Sequence, residues 1–80
     1  MIRILLADDQ PLLLSALSTI LSTQPDLEVV ATAKDGAQAV EQARAHRIDV
    51  AVMDIRMPVL DGIAAASAIL PLGTRVMMLT

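Results

Sequence analysis

Four short apolar runs alternate with three segments of helical periodicity, and this alternation constrains the fold more than any other feature of the chain. The runs are Ile2–Ala7, Leu27–Ala33, Ile48–Met53 and Arg75–Leu79. Short apolar runs of this kind are typical of strands that are buried in a parallel sheet. The β-α-β-α-β-α-β order therefore predicts an α/β fold with right-handed crossovers.

The segments between the runs carry helix signals. Pro11 is pre-set for a first helical position after Asp9 or Gln10 as the cap, and Pro25 predicts an end for that helix. Asp61 is a candidate cap for the third helix. The predicted helices are 11–24, 37–45 and 62–70, and the residues at helical spacing in the first are Leu13, Ala16, Leu17, Ile20 and Leu21.

Composition excludes several classes of function. The chain has 80 residues, enough for one small domain, and a net charge of −3 with scattered basic residues, unlike the basic stripe of a nucleic-acid binder. It has no cysteine, which excludes disulfides and thiolate metal sites. The apolar runs are too short for an export signal or a membrane span, so we expect a soluble, cytoplasmic protein without a membrane partner.

Acidic residues follow two of the predicted strands. Asp8 and Asp9 come after the first strand, and Asp54 comes after the third. Ligands of open α/β sheets bind beyond the carboxyl ends of the strands, and in a flavodoxin-like order of 2-1-3-4 these two strands are neighbours. Three close carboxylates repel one another unless a cation joins them, and Mg²⁺ favours such ligands. The alternative, that each aspartate is a solvated cap or turn residue, stays open at this point.

Three segments make the sequence recognisable: LLADDQPLL, DVAVMDIRMPVLDG and RVMMLT. They resemble receiver domains of bacterial response regulators, most closely those with a LuxR-type helix-turn-helix output domain. The resemblance implies that Asp54 is the phosphoacceptor, that Asp9 binds Mg²⁺ directly and Asp8 through water, and that the backbone carbonyl of Arg56 is a further metal ligand. It also implies that Thr80 is the switch hydroxyl that moves toward the phosphoryl group.

The same resemblance implies a function and an architecture. The function is to accept a phosphoryl group from a sensor histidine kinase, without being an enzyme otherwise, within a DNA-binding transcription regulator. Such domains have five strands and five helices, so we expect 1–80 to be a truncated receiver domain that lacks the fourth helix, the fifth strand with its lysine, and the fifth helix. DNA would then be contacted only through an output domain outside this chain.

Truncation also predicts self-association through an exposed fourth-strand edge or sheet face. Compared with relatives, Leu14 occupies a position that is usually basic on the outward face of the first helix, which we interpret as extra exposed apolar surface.

Two other functions compete with this interpretation. One is an interaction or inhibitory module that binds a kinase or another receiver without switching. The other is a metal-dependent phosphohydrolase with an aspartate nucleophile. Such an enzyme has a second aspartate two residues after the nucleophile as its acid/base, and this chain has Arg56 at that position. The reading frame beyond Thr80 would distinguish a regulator from an isolated module.

Overall fold

The computed structural model describes residues 1–79 and forms a four-stranded sheet flanked by three helices. The elements in chain order are β1 (Ile2–Ala7), α1 (Pro11–Ser22), β2 (Leu27–Ala33), α2 (Gly36–Ala45), β3 (Val50–Asp54), α3 (Gly62–Ile69), a 3-10 turn (Leu70–Leu72) and β4 (Arg75–Leu79). No helix among the described residues is long and apolar enough to cross a membrane.

All four strands are parallel and follow the order β2-β1-β3-β4, which confirms the predicted flavodoxin-like open sheet with three helices. β1 lies in the middle, paired with β2 on one side and with β3 on the other. Because β1 and β3 are neighbours, the residues that follow them meet at the carboxyl end of the sheet. Among residues 1–79, β4 has a strand on one side only.

The boundaries of the third strand differ from the prediction. β3 begins at Val50 and includes Asp54, whereas the sequence predicted Ile48–Met53. Ile48 is buried, and its carbonyl accepts a hydrogen bond of 2.8 Å from the Thr74 hydroxyl. This bond ties the residues that precede β3 and β4 together before the strands begin.

Two apolar cores lie on opposite faces of the sheet. The larger one lies under α2 and α3; its buried residues are Leu5, Ala7, Ala33, Ala39, Val40, Ala43, Ile48, Ala51, Met53, Met57, Ala65 and Ile69. The smaller one lies under α1 and contains Ile4, Leu6 and Leu14. With no aromatic residue in the chain, both cores are built from aliphatic side chains and methionine.

The face of α1 that packs against the sheet differs from the predicted face. Leu14 is 8% exposed and lies in the smaller core, with Leu17 and Leu21 packed against it, so the prediction of an outward Leu14 is wrong. Leu13 and Ile20 are instead exposed, at 38% and 59%. Positions 14, 17 and 21 satisfy helical spacing as well as the predicted set does, and packing against β1 decides between them.

The starts of α2 and α3 are fixed by aspartate caps and close glycine contacts. The Asp35 carboxylate accepts from the Gln38 backbone N–H, and the predicted cap Asp61 likewise accepts from Ala64. A Cβ on Gly36 would overlap the Leu60 carbonyl, so α2 lies directly against the loop between β3 and α3. Helix α1 has Pro11 in its first turn as predicted, but Gln10 at its cap position makes no side-chain capping bond.

Candidate functional site

The three strand-end carboxylates come together as predicted. Ala7 of β1 pairs in register with Met53 of β3, which places the next residues, Asp8 and Asp54, side by side at the carboxyl end of the sheet. One carboxylate oxygen from each of Asp8, Asp9 and Asp54 lies within 4.8 Å of the others. The three aspartates thus form one cluster, and Asp8 and Asp54 also each accept a hydrogen bond from the backbone N–H two residues further on, as turn residues do.

Asp8 is the buried member of the cluster. Its side chain is almost wholly covered, and Oδ1 accepts a hydrogen bond of 2.9 Å from the Gln10 backbone N–H. Burial raises the pKa of Asp8 above its usual value, and the Gln10 hydrogen bond opposes that shift. The negative charges of Asp54 and Asp9 raise this pKa further.

Asp54 and Asp9 remain open to solvent. Asp54 is half-buried, and its Oδ1 accepts a hydrogen bond of 3.2 Å from the Arg56 backbone N–H. Asp9 is exposed. One buried and two accessible carboxylates give a site that an ion or a substrate can reach from one side.

A cleft of about 580 Å³ opens beside these carboxylates. Its lining combines acidic, polar and apolar residues: Asp8, Gln10, Leu13, Asp54, Ile55, Arg56 and Leu79. The sequence did not predict Leu13 or Leu79 here, although Leu79 ends β4 and therefore lies at the same edge of the sheet. Its register partner is Asp54 itself.

The donor set fits a hard divalent cation. Three carboxylate oxygens converge, and among residues 1–79 no cationic side chain forms an ion pair with any of them. Such a group of like charges favours a cation that prefers oxygen ligands and retains water, which describes Mg²⁺. The carbonyl of Arg56 as a further ligand stays a prediction, and so does the water-mediated role of Asp8.

The loop between β3 and α3 contains a strained residue that the sequence did not indicate. Val59 has a φ of 68°, and the Leu60 N–H donates to the Pro58 carbonyl at 2.7 Å, which together describe a tight γ-turn. A β-branched residue is strongly disfavoured at positive φ. Its side chain is 82% exposed, so packing does not compensate for this conformation. Thr80, the predicted switch residue, lies outside the described residues.

Comparison with known proteins identifies the family. The sequence model of the response regulator receiver domain matches residues 4–80, nearly the whole chain. The chain belongs to the response regulator receiver domain family. The matched region includes Asp8, Asp9 and Asp54, so the acidic cluster lies within the receiver domain.

Relatives of this receiver differ in the rest of their chains. A protein-glutamate methylesterase/protein-glutamine glutaminase of Nitrosospira multiformis is 44% identical over 70 residues, which are 88% of this chain and 20% of that protein. The transcriptional regulatory protein LnrK of Bacillus subtilis is 40% identical over 83 residues, covering 100% of this chain and 37% of that protein. The chain thus spans only about a fifth to two-fifths of the length of these relatives.

A solved structure agrees with the same assignment. The response regulator domain of Thermotoga maritima CheB is 46% identical and superposes with a TM-score of 0.93, covering 98% of this chain and 59% of that one. The fold of this chain is therefore the fold of a solved response regulator domain.

Proposed function

We propose that this receiver accepts a phosphoryl group on Asp54 from a sensor histidine kinase, in the cytoplasm, as the input step of a two-component system. The observation that carries this proposal is the convergence of the Asp8, Asp9 and Asp54 carboxylates beside an open cleft. Asp54 is the accessible carboxylate that ends β3, and family membership supports its role as the acceptor.

In the proposed reaction a carboxylate oxygen of Asp54 attacks the phosphorus of a phosphohistidine. A new P–O bond forms while the P–N bond breaks, and the imidazole nitrogen leaves with the electron pair and takes up a proton. The backbone N–H of Arg56 orients the Asp54 carboxylate, because it donates a hydrogen bond to Oδ1 and so restricts rotation of the side chain. The chain itself would not be an enzyme beyond assisting this transfer.

Mg²⁺ is the cofactor that we propose for the site, held by Asp9 and Asp54 directly, by the Arg56 carbonyl, and by Asp8 through water. When bound, the ion would neutralise the crowded carboxylates and the charge on the incoming phosphoryl oxygens. The buried, hydrogen-bonded position of Asp8 supports a positioning role for this carboxylate. Affinity is expected to be modest, because the Asp54 loop is exposed and Mg²⁺ retains several waters.

Intact-mass measurement tests the acceptor. The intact parent protein is incubated with Mg²⁺ and a small phosphoryl donor such as acetyl phosphate, and a single added phosphoryl group is expected, whereas residues 1–80 alone should be labelled far more slowly. Asp54→Asn should abolish the addition, whereas Asp61→Asn, an exposed aspartate outside the cluster, should retain it. Equal labelling of Asp54→Asn would contradict the assignment of the acceptor.

The Mg²⁺ site has a separate readout. In a Mg²⁺ titration followed by NMR, the amides around Asp8, Asp9 and Asp54 should shift together, and Asp9→Asn should weaken the response. Silent amides at these positions in tens-of-millimolar Mg²⁺ would rule out the metal site in this chain.

For the output of the parent protein we propose transcription regulation through a DNA-binding domain, which the LnrK relative supports. A second candidate is a protein-glutamate methylesterase, because the Nitrosospira multiformis relative of that name is 44% identical and the Thermotoga maritima CheB domain superposes closely. The coding sequence downstream of residue 80 distinguishes the two: a helix-turn-helix supports the first, and a catalytic esterase domain supports the second.

A further inference from the structure

The loop between β3 and α3, residues 55–61, is tied to the acceptor at both of its ends. At its start, the Arg56 backbone N–H donates to the Asp54 carboxylate at 3.2 Å. At its end, the Gly62 N–H donates to the Ile55 carbonyl at 2.9 Å, and a Cβ on Gly62 would overlap the Asp54 carbonyl. Because both ends are held, a displacement near Arg56 is passed along the loop toward its middle.

The strained turn lies in the middle of this loop. Val59 has a φ of 68°, and the Leu60 N–H donates to the Pro58 carbonyl at 2.7 Å, which is the tight and rarely populated form of the γ-turn. The Val59 side chain is 82% exposed, so its packing does not favour this form. A β-branched residue prefers negative φ, so the surroundings of the turn must hold it in the observed conformation.

The Leu60 carbonyl connects the turn to α2. Gly36 is the first residue of that helix, and a Cβ there would overlap the Leu60 carbonyl and also crowd the Leu60 Cβ. The backbones of the helix and the loop are therefore in direct contact. A rotation of Val59 to negative φ would move the Leu60 carbonyl relative to Gly36.

Two hydrogen bonds hold the start of α2 together as one unit. The Asp35 carboxylate accepts from the Gln38 N–H at 2.7 Å, and Gln38 Oε1 accepts from the Lys34 N–H at 2.9 Å. This reciprocal pair of bonds resembles a capping box. A displacement at Gly36 therefore moves the first turn of α2 or breaks one of these bonds.

We propose that the Pro58–Leu60 turn has two conformations and couples the acidic cluster to the start of α2. In the first state the turn has the observed γ conformation, and the Leu60 carbonyl lies against Gly36. In the second state Val59 has a negative φ, the hydrogen bond within the turn is broken, and the first turn of α2 is displaced. The start of α2 would thereby regulate cation binding at a site that it does not line.

A cation at the acidic cluster should favour the first state. This coupling rests on the proposed function, in which Asp54 and the Arg56 carbonyl hold Mg²⁺. An ion bound in that way would restrict the loop three residues before Val59 and so oppose rearrangement of the turn. Coupling between two sites is reciprocal, so a change at the start of α2 that favours the second state should weaken Mg²⁺ binding.

Relaxation dispersion of the backbone amides tests the two conformations. In the Mg²⁺-free chain, the amides of Val59, Leu60, Gly36 and Gln38 should exchange on the microsecond-to-millisecond timescale with one common rate. Saturating Mg²⁺ should suppress this exchange. Val59→Gly removes the penalty for positive φ and should suppress the exchange without Mg²⁺, whereas the control Val59→Ala retains a Cβ and should still show it.

A variant at the start of α2 tests the coupling from the other side. Gly36→Ala places a Cβ against the Leu60 carbonyl and should weaken Mg²⁺ binding by about fivefold, measured in an NMR titration. Gly73→Ala is the matched control, because no atom lies within 4 Å of a Cβ there, and it should leave the affinity unchanged. If Gly36→Ala does not fold, Gln38→Ala replaces it. That variant removes the acceptor of the Lys34 N–H and should weaken binding by about twofold.

Three results would overturn the proposal. They are flat dispersion profiles in the Mg²⁺-free chain, exchange at Gly36 that persists in the Mg²⁺-bound chain, and an unchanged Mg²⁺ affinity in both α2 variants. Silent amides around Asp54 throughout the titration would instead contradict the Mg²⁺ site of the proposed function. The profiles of the Mg²⁺-free chain would then decide by themselves whether the turn has two conformations.

Discussion

The charged side chains at the two ends of the sheet differ in whether they have partners of opposite charge. At the amino end, Arg3 donates from its backbone to Asp49 at 2.8 Å and from Nε to the Arg47 carbonyl at 2.7 Å, and it forms an ion pair with Glu28. Arg47 also pairs with Asp49 at 3.2 Å. At the carboxyl end, three carboxylates converge, and within residues 1–79 their hydrogen-bond donors are the backbone N–H groups of Gln10 and Arg56.

The amino end of the sheet therefore contributes to stability, whereas the carboxyl end carries the candidate functional site. Charges at the amino end join β1, β2 and the residues before β3, and their partners lie within the chain. Charges at the carboxyl end repel one another, and the adjacent loop contains the strained Val59. Unsatisfied charge and backbone strain in one place are typical of a site that meets its partner from outside.

The largest expected effect comes from the close packing behind the carboxyl-end loop. Gly36→Ala should destabilise the protein by about 3 kcal/mol, since its Cβ would overlap the Leu60 carbonyl and force helix and loop apart. Urea unfolding followed by circular dichroism at 222 nm measures the change. Gly73→Ala is the matched control: its φ is 88° but no atom lies within 4 Å of a Cβ there, so only about 1 kcal/mol should be lost. If both variants lose the same free energy of unfolding, the close contact between Gly36 and Leu60 does not determine stability.

At the amino end, Asp49→Ala should cost about 2 kcal/mol, because the Arg3 backbone N–H and the Arg47 guanidinium both lose their acceptor. The same unfolding experiment applies. Glu28→Ala removes only an exposed ion pair with Arg3 and should change stability by less than about 0.5 kcal/mol. If the two variants behave alike, the amino end is not held by Asp49.

Relief of strain should produce a smaller change of opposite sign. Val59→Gly should stabilise the protein by about 1 kcal/mol, as relief of the positive-φ strain exceeds the extra backbone entropy of glycine in the unfolded chain. Val59→Ala retains a Cβ at the same φ and should gain less. A destabilised Val59→Gly variant would mean that the γ-turn is not strained.

The smallest effect is a pH-dependent one at the acidic cluster. Because burial raises the pKa of Asp8, the folded state binds its proton more readily than the unfolded state, and this group lowers stability at neutral pH. Asp8→Asn should therefore stabilise the Mg²⁺-free protein at neutral pH by up to about 1 kcal/mol. The gain should shrink as the pH falls through the raised pKa, where Asp8 in the unmodified protein takes up its proton.

Mg²⁺ provides the control for that measurement. Added Mg²⁺ should raise the stability of the unmodified protein more than that of Asp8→Asn, because the ion neutralises a charge that the variant lacks. A variant that is less stable at neutral pH would show that the Gln10 hydrogen bond to Asp8 outweighs burial and repulsion.

Much of this architecture could be predicted from the sequence, because its signals are local. The bounds of β1, β2 and β4 are confirmed, and so is the acidic cluster, since strand order alone brings Asp8 and Asp54 together. The Asp61 cap also follows from its neighbours in the chain.

The features that the sequence did not predict depend on packing. Helix α1 contains no charged residue, so no polar face marks which side is exposed, and the predicted phase placed Leu14 outward when it is buried. The positive φ of Val59 had no signal either, because glycine or asparagine usually marks such a turn. The contribution of Leu79 to the cleft required the register between β3 and β4.

The absence of aromatic residues from the chain has a practical consequence for spectroscopy. The chain contains no tryptophan, tyrosine or phenylalanine, so it has no intrinsic fluorescence and almost no absorbance at 280 nm. Leu13 lines the cleft beside Asp54 and is partly exposed. A tryptophan introduced there would be the single fluorophore of the molecule, and its emission would report on the acidic cluster without interference from any other residue.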